Sequence, residues 1–230
     1  MQAAVVTVGD ELLAGDTENT NATWLCKQLT DRGVSVERVT TVPDRIGDIA
    51  RVVNEYHAEY DTVVVTGGLG PTHDDVTMDA VAAAFGRSME LHEEAAVWLE
   101  TNGGYSATDL VEGTTDLPAG ARMLPNEAGV APGAVVGSVY VLPGVPTEMK
   151  TMFERVADEF VGETTHVRYV HTSDPESSLI ERFEEIRDLF DVTVGSYPGD
   201  HVRVKLSGGD EATVEEAAEW LEERVERYEA

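Results

Sequence analysis

The sequence predicts an α/β protein: an open, mostly parallel sheet with helices on both faces, followed by a small α+β domain. Three observations carry this. The first half alternates short runs that are apolar throughout with segments whose apolar residues recur at helical spacing. Glycine-rich turns close the apolar runs at their carboxyl ends. From residue 166 onward the order reads strand, helix, strand, strand, helix. A length of 230 residues with 42% hydrophobic content supports a packed core.

Ala3–Val8 reads as a buried strand bounded by Gly9. A helix from about Thr20 to Asp31 puts Ala22, Leu25 and Leu29 on one face, and Gly33 ends it. Val34–Val42 is a second strand. Ile46, Ile49, Val52, Val53 and Tyr56 then mark a helix starting near Asp44, where N-capping is the default role for that acid. Thr62–Thr66 is a third strand, almost purely β-branched. A helix over about 74–85 follows the glycine turn, and Leu91, Ala95, Trp98 and Leu99 suggest another. Residues 102–120, rich in Gly, Thr, Asp and Ser, read as a long loop. Short strands near 121–124, 134–137 and 138–142 precede a helix opened by Pro146, with Met149, Met152, Phe153, Val156 and Phe160 as its stripe. These elements form a first domain over 1–163, and Gly162–Thr165 is a linker.

The second domain, 166–230, reads strand 166–172, helix 176–190, strands 192–197 and 201–207, and helix 212–228. Leu179, Ile180, Phe183, Ile186 and Phe190 make one stripe, and Val214, Ala217, Leu221 and Val225 the other.

The chain carries 44 Asp+Glu against 16 Lys+Arg, a formal charge of −28, with only three lysines, Lys27, Lys150 and Lys205. The excess is spread over both domains, net −18 over 1–165 and −10 over 166–230. Such a surface repels phosphate backbones and anionic lipid, which argues against nucleic acid and membrane as partners. Its breadth also suggests adaptation to high salt, where screening suppresses self-repulsion. The single Cys26 cannot form an internal disulfide. The first residues lack a basic segment and a long apolar run, so no secretory signal is read there and a cytoplasmic location is expected.

TGGLGPTHDDVT, residues 66–77, is the strongest local signal. It follows a buried strand and opens a helix, so backbone amides face whatever sits above the strand end. Thr66, Gly67, Gly68, Gly70, Pro71 and Thr72 would hold a phosphate or pyrophosphate. Two adjacent acids, Asp74 and Asp75, would expel that anion unless a cation lies between. A divalent metal (Mg, Mn or Co) held by Asp74, Asp75 and Glu11 answers this. The plain structural alternative is a strand-to-helix turn whose acids complement the helix dipole. The segment is no Walker loop, because Pro71 follows the last glycine, and His73 breaks the dinucleotide pattern. Zinc spacing and a nucleophile elbow are both missing from the sequence.

Gly9-Asp10-Glu11-Leu12-Leu13 is a second signal, at the end of the first strand, with Asn19 and Asn21 beyond it; one of these asparagines is expected to cap the helix. A third pairs Gly129-Val-Ala-Pro-Gly133 with Leu142-Pro-Gly-Val-Pro-Thr-Glu-Met149. It reads either as turns set by Pro and Gly, or as a pocket wall contributed by Gly133 and Gly144 with Glu148 near metal or substrate.

Taken together, GDELLAGDTENTNATWL, TVPD at 41–44, TGGLGPTHDDVT, NEAGVAPG at 126–133 and LPGVPTEMK at 142–150 resemble the competence/damage-inducible protein A (CinA) family. Its N-terminal part is a molybdopterin-binding-like domain. The match spans roughly residues 5–160 in order, and the second domain is similar in element order. Val130 stands where many relatives have Thr. Longer relatives carry a C-terminal amidase domain, so that activity is not expected here. The resemblance implies metal-dependent hydrolysis of ADP-ribose to AMP and ribose 5-phosphate, or binding and adenylylation of molybdopterin. The functional acids it implies fall on Asp75, Asp44 and Asp10. A non-catalytic nucleotide-binding module is a third reading. The expected partner is a small nucleotide or pterin-phosphate ligand, and relatives of this fold commonly self-associate, so a homo-oligomer is also expected.

Overall fold

A computed structural model describes residues 1–70, 72–102 and 113–228. The chain divides into two compact units, Met1–Gly162 and Glu163–Ala230. Among the described residues no helix is long and apolar enough to cross a membrane.

The first unit runs β1 (Gln2–Val8), α1 (Asp10–Ala14), α2 (Thr20–Thr30), β2 (Ser35–Val42), α3 (Ile46–Glu59), β3 (Thr62–Thr66) and α4 (Thr77–Ala84). It continues with β4 (Met89–Leu91), α5 (Glu93–Asn102), β5 (Asp116–Pro118), β6 (Arg122–Leu124), β7 (Gly133–Val136), β8 (Val139–Leu142) and α6 (Pro146–Val156). Six strands form one sheet in the order β2-β1-β3-β8-β7-β6. The first four are mutually parallel, and β7 and β6 are antiparallel additions.

Because the central strands are buried on both faces, they can be apolar at every position, which is why they are visible in the sequence. One face packs Val6, Val63 and Val65 against Ile49, Val53 and Val81 of α3 and α4. The other packs Val5, Val64 and Leu142 against Leu25, Leu29, Met149, Met152 and Phe153 of α2 and α6. Trp24 and Cys26 border this second core, and Lys150 lies over the Trp24 ring at 5.7 Å.

The second unit runs β9 (His166–Thr172), α7 (Ile180–Leu189), β10 (Thr193–Tyr197), β11 (Val202–Gly208) and α8 (Glu211–Glu222). Its antiparallel sheet has the order β10-β11-β9, with Val170, Val204 and Leu206 packed on Phe183, Ile186, Val214 and Leu221.

Several expectations are corrected. The helix expected from residue 74 begins at Thr77, because residues 72–75 close a turn of their own: Asp75 N–H donates to Thr72 O at 3.1 Å. The expected loop 102–120 contains β5, which pairs with β4; both are too short to show alternation. Leu91 lies in β4 and is 63% exposed, outside the α5 stripe. The sequence gives no sign of α1, since five residues show no periodicity. Ile180 is 55% exposed and leaves the α7 stripe. α8 ends at Glu222, and the chain turns back so that Arg227 bridges Thr172.

Candidate functional site

Parallel strands end on one edge, so β1, β2, β3 and β8 bring Gly9–Glu11, Asp44, Gly67–Gly70 and Gly144 together there. Register aligns Thr7 with Thr41 on one side and Thr66 on the other, a row of hydroxyls across three strand ends. Thr7 and Thr41 Oγ1 lie 2.9 Å apart, and Thr66 Oγ1 donates to Pro143 O at 2.7 Å.

The α2 N-terminus rises from this row. Asn19 Oδ1 accepts from Ala22 N–H at 3.1 Å, so Asn19 is the helix cap, and its Nδ2 donates to Thr7 Oγ1 at 2.9 Å. Asn21 Nδ2 donates to Gly144 O at 2.7 Å and ties α2 to the turn before α6. Thr7, Glu11, Glu18, Asn19, Asn21, Thr66, Gly67, Gly144 and Pro146 are among the residues that line a cleft of about 100 Å³.

Helix N-termini, which favour anions, border this cleft together with the Glu11 and Glu18 carboxylates. The first turns of α2 and α6 both open beside it, and α6 has no side-chain cap. The amides of Gly68, Leu69 and Gly70 donate to no acceptor among the described residues. Gly67 has φ +108°, and a methyl there would stand under 3.0 Å from the Val8 carbonyl oxygen. Only glycine lets the turn lie this close to β1.

The expected site residues fall into separate groups. Thr66, Gly67 and Gly144 line the cleft, as does Glu11. Gly68 abuts the Thr77 hydroxyl, and Gly70 abuts the Asp75 carboxylate, where a methyl would be 2.6 Å from Oδ2. Pro71 lies outside the described residues. Gly133 is corrected from a pocket wall to a packing position: it is buried in β7, where a methyl would strike Val141 O and Met152 Sδ.

The acids pair with neighbours. Asp44 does not cap α3; its Oδ2 accepts from Asp10 N–H at 2.7 Å and holds the start of α1 instead. Thr72 Oγ1 lies 2.5 Å from both Asp74 Oδ1 and Asp75 Oδ2, and Thr72 N–H donates to Asp75 Oδ2 at 2.9 Å. One hydroxyl proton serves one carboxylate at a time. The Thr72 hydroxyl, with the Asp74 backbone amide and nearby His73 adding to it, holds the Asp74 carboxyl below the usual range. Among the described residues no three His, Cys, Asp or Glu side chains converge as a metal cluster. Asp74 and Asp75 meet at Thr72, Asp10 meets Asp44, and Glu11 stands on the cleft wall. The residues therefore do not fit a closed protein cage, but they do leave one or two carboxylates beside the glycine turn.

Sequence reasoning missed Thr7, Thr41, Glu18 and the double role of Asn19. The available signal was a threonine closing or nearly closing each apolar parallel run, at positions 7, 41 and 66.

Comparison with known proteins identifies the two units. Residues 4–162 match the family described as a probable molybdopterin binding domain, and residues 164–229 match the middle domain of FAD synthase. A protein of Archaeoglobus fulgidus is 37% identical over 225 residues, with 97% of each chain covered. A putative competence-damage inducible protein of Desulforudis audaxviator is 34% identical, with 98% of this chain and 59% of that protein covered. The crystal structure of CinA from Thermoplasma acidophilum, a protein of unknown function, superposes with a TM-score of 0.64 at 34% identity, covering 70% of this chain and 99% of that one. A probable molybdopterin-binding domain joined to an FAD synthase middle domain, with these relatives along its length, places the chain in the CinA family.

Proposed function

We propose that the first unit binds a phosphorylated nucleotide through its phosphates at the Thr66–Gly70 turn and hydrolyses a pyrophosphate bond, converting ADP-ribose and water to AMP and ribose 5-phosphate. The observation that supports this reading is a cleft floored by threonine hydroxyls on which two helix N-termini open, next to a glycine turn whose Gly68, Leu69 and Gly70 amides have no acceptor among the described residues. At about 100 Å³ the cleft is smaller than the ~300–1,000 Å³ that encloses a whole small molecule, so it suits the phosphate end of a longer ligand.

A divalent cation fits as a companion of the pyrophosphate. Mg²⁺ keeps several waters and needs only one or two protein carboxylates when phosphate oxygens supply the rest. Glu11 on the cleft wall and Asp75 beside the turn would hold it, and when bound it would neutralise developing charge on the phosphate. The chain's own amides and threonine hydroxyls orient the phosphates, and Asp44 keeps Asp10 at the mouth of the first turn.

The test is AMP release from ADP-ribose with Mg²⁺, Mn²⁺ or Co²⁺ in high salt. FAD belongs beside it as a second substrate, because the second unit matches an FAD synthase segment and FAD carries the same pyrophosphate-linked AMP. Turnover abolished by Asp75→Asn supports the hydrolytic reading, and no turnover with any metal removes it. The family match over 4–162 favours one other reading, molybdopterin binding or adenylylation. That reading expects the purified protein to retain a fluorescent pterin and a pterin phosphate to raise its melting temperature. Tight nucleotide binding with neither turnover nor pterin would leave a non-catalytic module.

A further inference from the structure

Glu148 of the 142–149 motif and the whole 126–133 motif lie outside the cleft lining, and the fold joins them. Asn126 is 1% exposed, and its Nδ2 donates to Ala131 O at 3.0 Å and to Glu148 Oε2 at 2.7 Å. Flipping the amide would aim its oxygen at two acceptors, so the orientation is set by the network. Its Oδ1 is buried and accepts from no donor among the described residues, which is uncommon for a buried amide. Glu148, half-buried in the first turn of α6, rests against Gly129, where a methyl would lie 2.6 Å from Oε1. Oε2 is thus held by Asn126, while Oε1 has no hydrogen-bond donor among the described residues.

An ionised carboxylate only accepts hydrogen bonds, so this corner is hostile to phosphate and complementary to a pair of neighbouring donors. Its position sets what can reach it. Leu124 pairs with Gly133, so the 125–132 loop caps β6 and β7 at the same sheet edge as the cleft. β7 lies two strand intervals from β3, about 10 Å. A ligand with its phosphate on the Gly67–Gly70 turn can therefore reach this corner with its sugar or ring.

We infer that Glu148, held by Asn126, forms a second subsite that recognises adjacent hydrogen-bond donors on the ligand: the vicinal hydroxyls of a ribose or the amino edge of a pterin ring. This rests on the phosphate-cleft reading above. Glu148 is the recognition residue, and Asn126 is a positioning residue that fixes one carboxylate oxygen so that the other faces the ligand.

The experiment is calorimetric titration of the full chain with matched pairs. One pair is AMP against 2′-deoxy-AMP, and the other is 6-hydroxymethylpterin against its 2-oxo counterpart. Wild type is expected to prefer AMP, or the amino pterin, by about tenfold, the value of one hydrogen bond to a charged group; whichever pair responds names the donor source. Glu148→Gln, which keeps its volume and still accepts from Asn126, should bring that ratio close to one. Asn126→Ala should lower the ratio while Glu148 remains. Equal affinity within both pairs in wild type overturns the inference without any variant, and so does a ratio that survives Glu148→Gln. Pyrophosphate binding by wild type reports the cleft alone. Pyrophosphate binding without discrimination strikes only the subsite. Discrimination between adenosine and 2′-deoxyadenosine without pyrophosphate binding strikes only the cleft. Binding of none of these probes overturns both.

Discussion

Gly67→Ala isolates the contact on which the cleft depends. Gly67 sits at φ +108°, its N–H donates to Leu142 O at 3.1 Å, and its Cα packs against Gly144, where a methyl would lie 3.3 Å away. Two penalties follow from a methyl at Gly67. The positive φ costs a non-glycine residue about 1–2 kcal/mol. Overlap with the Val8 carbonyl oxygen, closer than real Cβ atoms come, forces the turn off β1 and costs a further ~1–3 kcal/mol. Gly86→Ala separates the two terms. Gly86 has φ +62°, and a methyl there would meet nothing within 4 Å, so it carries only the dihedral cost. Both variants gain the same small benefit from a stiffer unfolded chain. Urea unfolding should therefore place Gly67→Ala about 1–3 kcal/mol below Gly86→Ala. In ligand-shift melts Gly67→Ala should lose the stabilisation by ADP-ribose that Gly86→Ala retains. Equal stability of the two variants, or a full ligand shift in Gly67→Ala, would refute the reasoning.

Three further outcomes are expected. Asn19→Ala removes the α2 cap and the amide that reaches Thr7, so it should cost about 1–2 kcal/mol in urea unfolding and weaken pyrophosphate binding; an unchanged midpoint would contradict the capping role. Burial, together with the Glu159 carboxylate that accepts from its hydroxyl at 2.8 Å, pushes Tyr140 up to about 12. The raised value favours the neutral phenol in the folded state, so this contribution is complete below pH 10 and is lost between pH 10 and about 12. Ultraviolet titration should show a late-ionising tyrosine that Tyr140→Phe removes. Finally, a charge of −28 over both units predicts a melting temperature that rises from dilute buffer to molar KCl, as the screening length falls to about 3 Å. Equal melts in both would dismiss salt adaptation.

Much of the fold was legible because its signals are local. Thr62–Thr66 is β-branched throughout, with three successive valines at its centre because both faces of that strand are buried, and Pro146 followed by the Met149–Phe153 stripe marks α6 through ring geometry and helical period. Short elements carry no such period, which is why α1, β4 and β5 were invisible. The glycine turn at 66–70 was legible as a place where backbone comes close to something, but which backbone was not: Val8, from a strand far away in sequence, is what Gly67 meets.

The sequence by itself determined the alternation of strand and helix, the glycine turn after the third strand and the acidic surface, since each follows from neighbouring residues and their chemistry. Tertiary structure alone decided which groups share a site. Strand register put Thr7, Thr41 and Thr66 in one row, gave Asp44 to the start of α1 rather than to its own helix, buried Gly133 under Met152 and joined Asn126 to Glu148. These partners lie tens of residues apart, and no local rule links them. They meet because burying the apolar strands between two helical layers admits one register, and that register carries the polar ends with it.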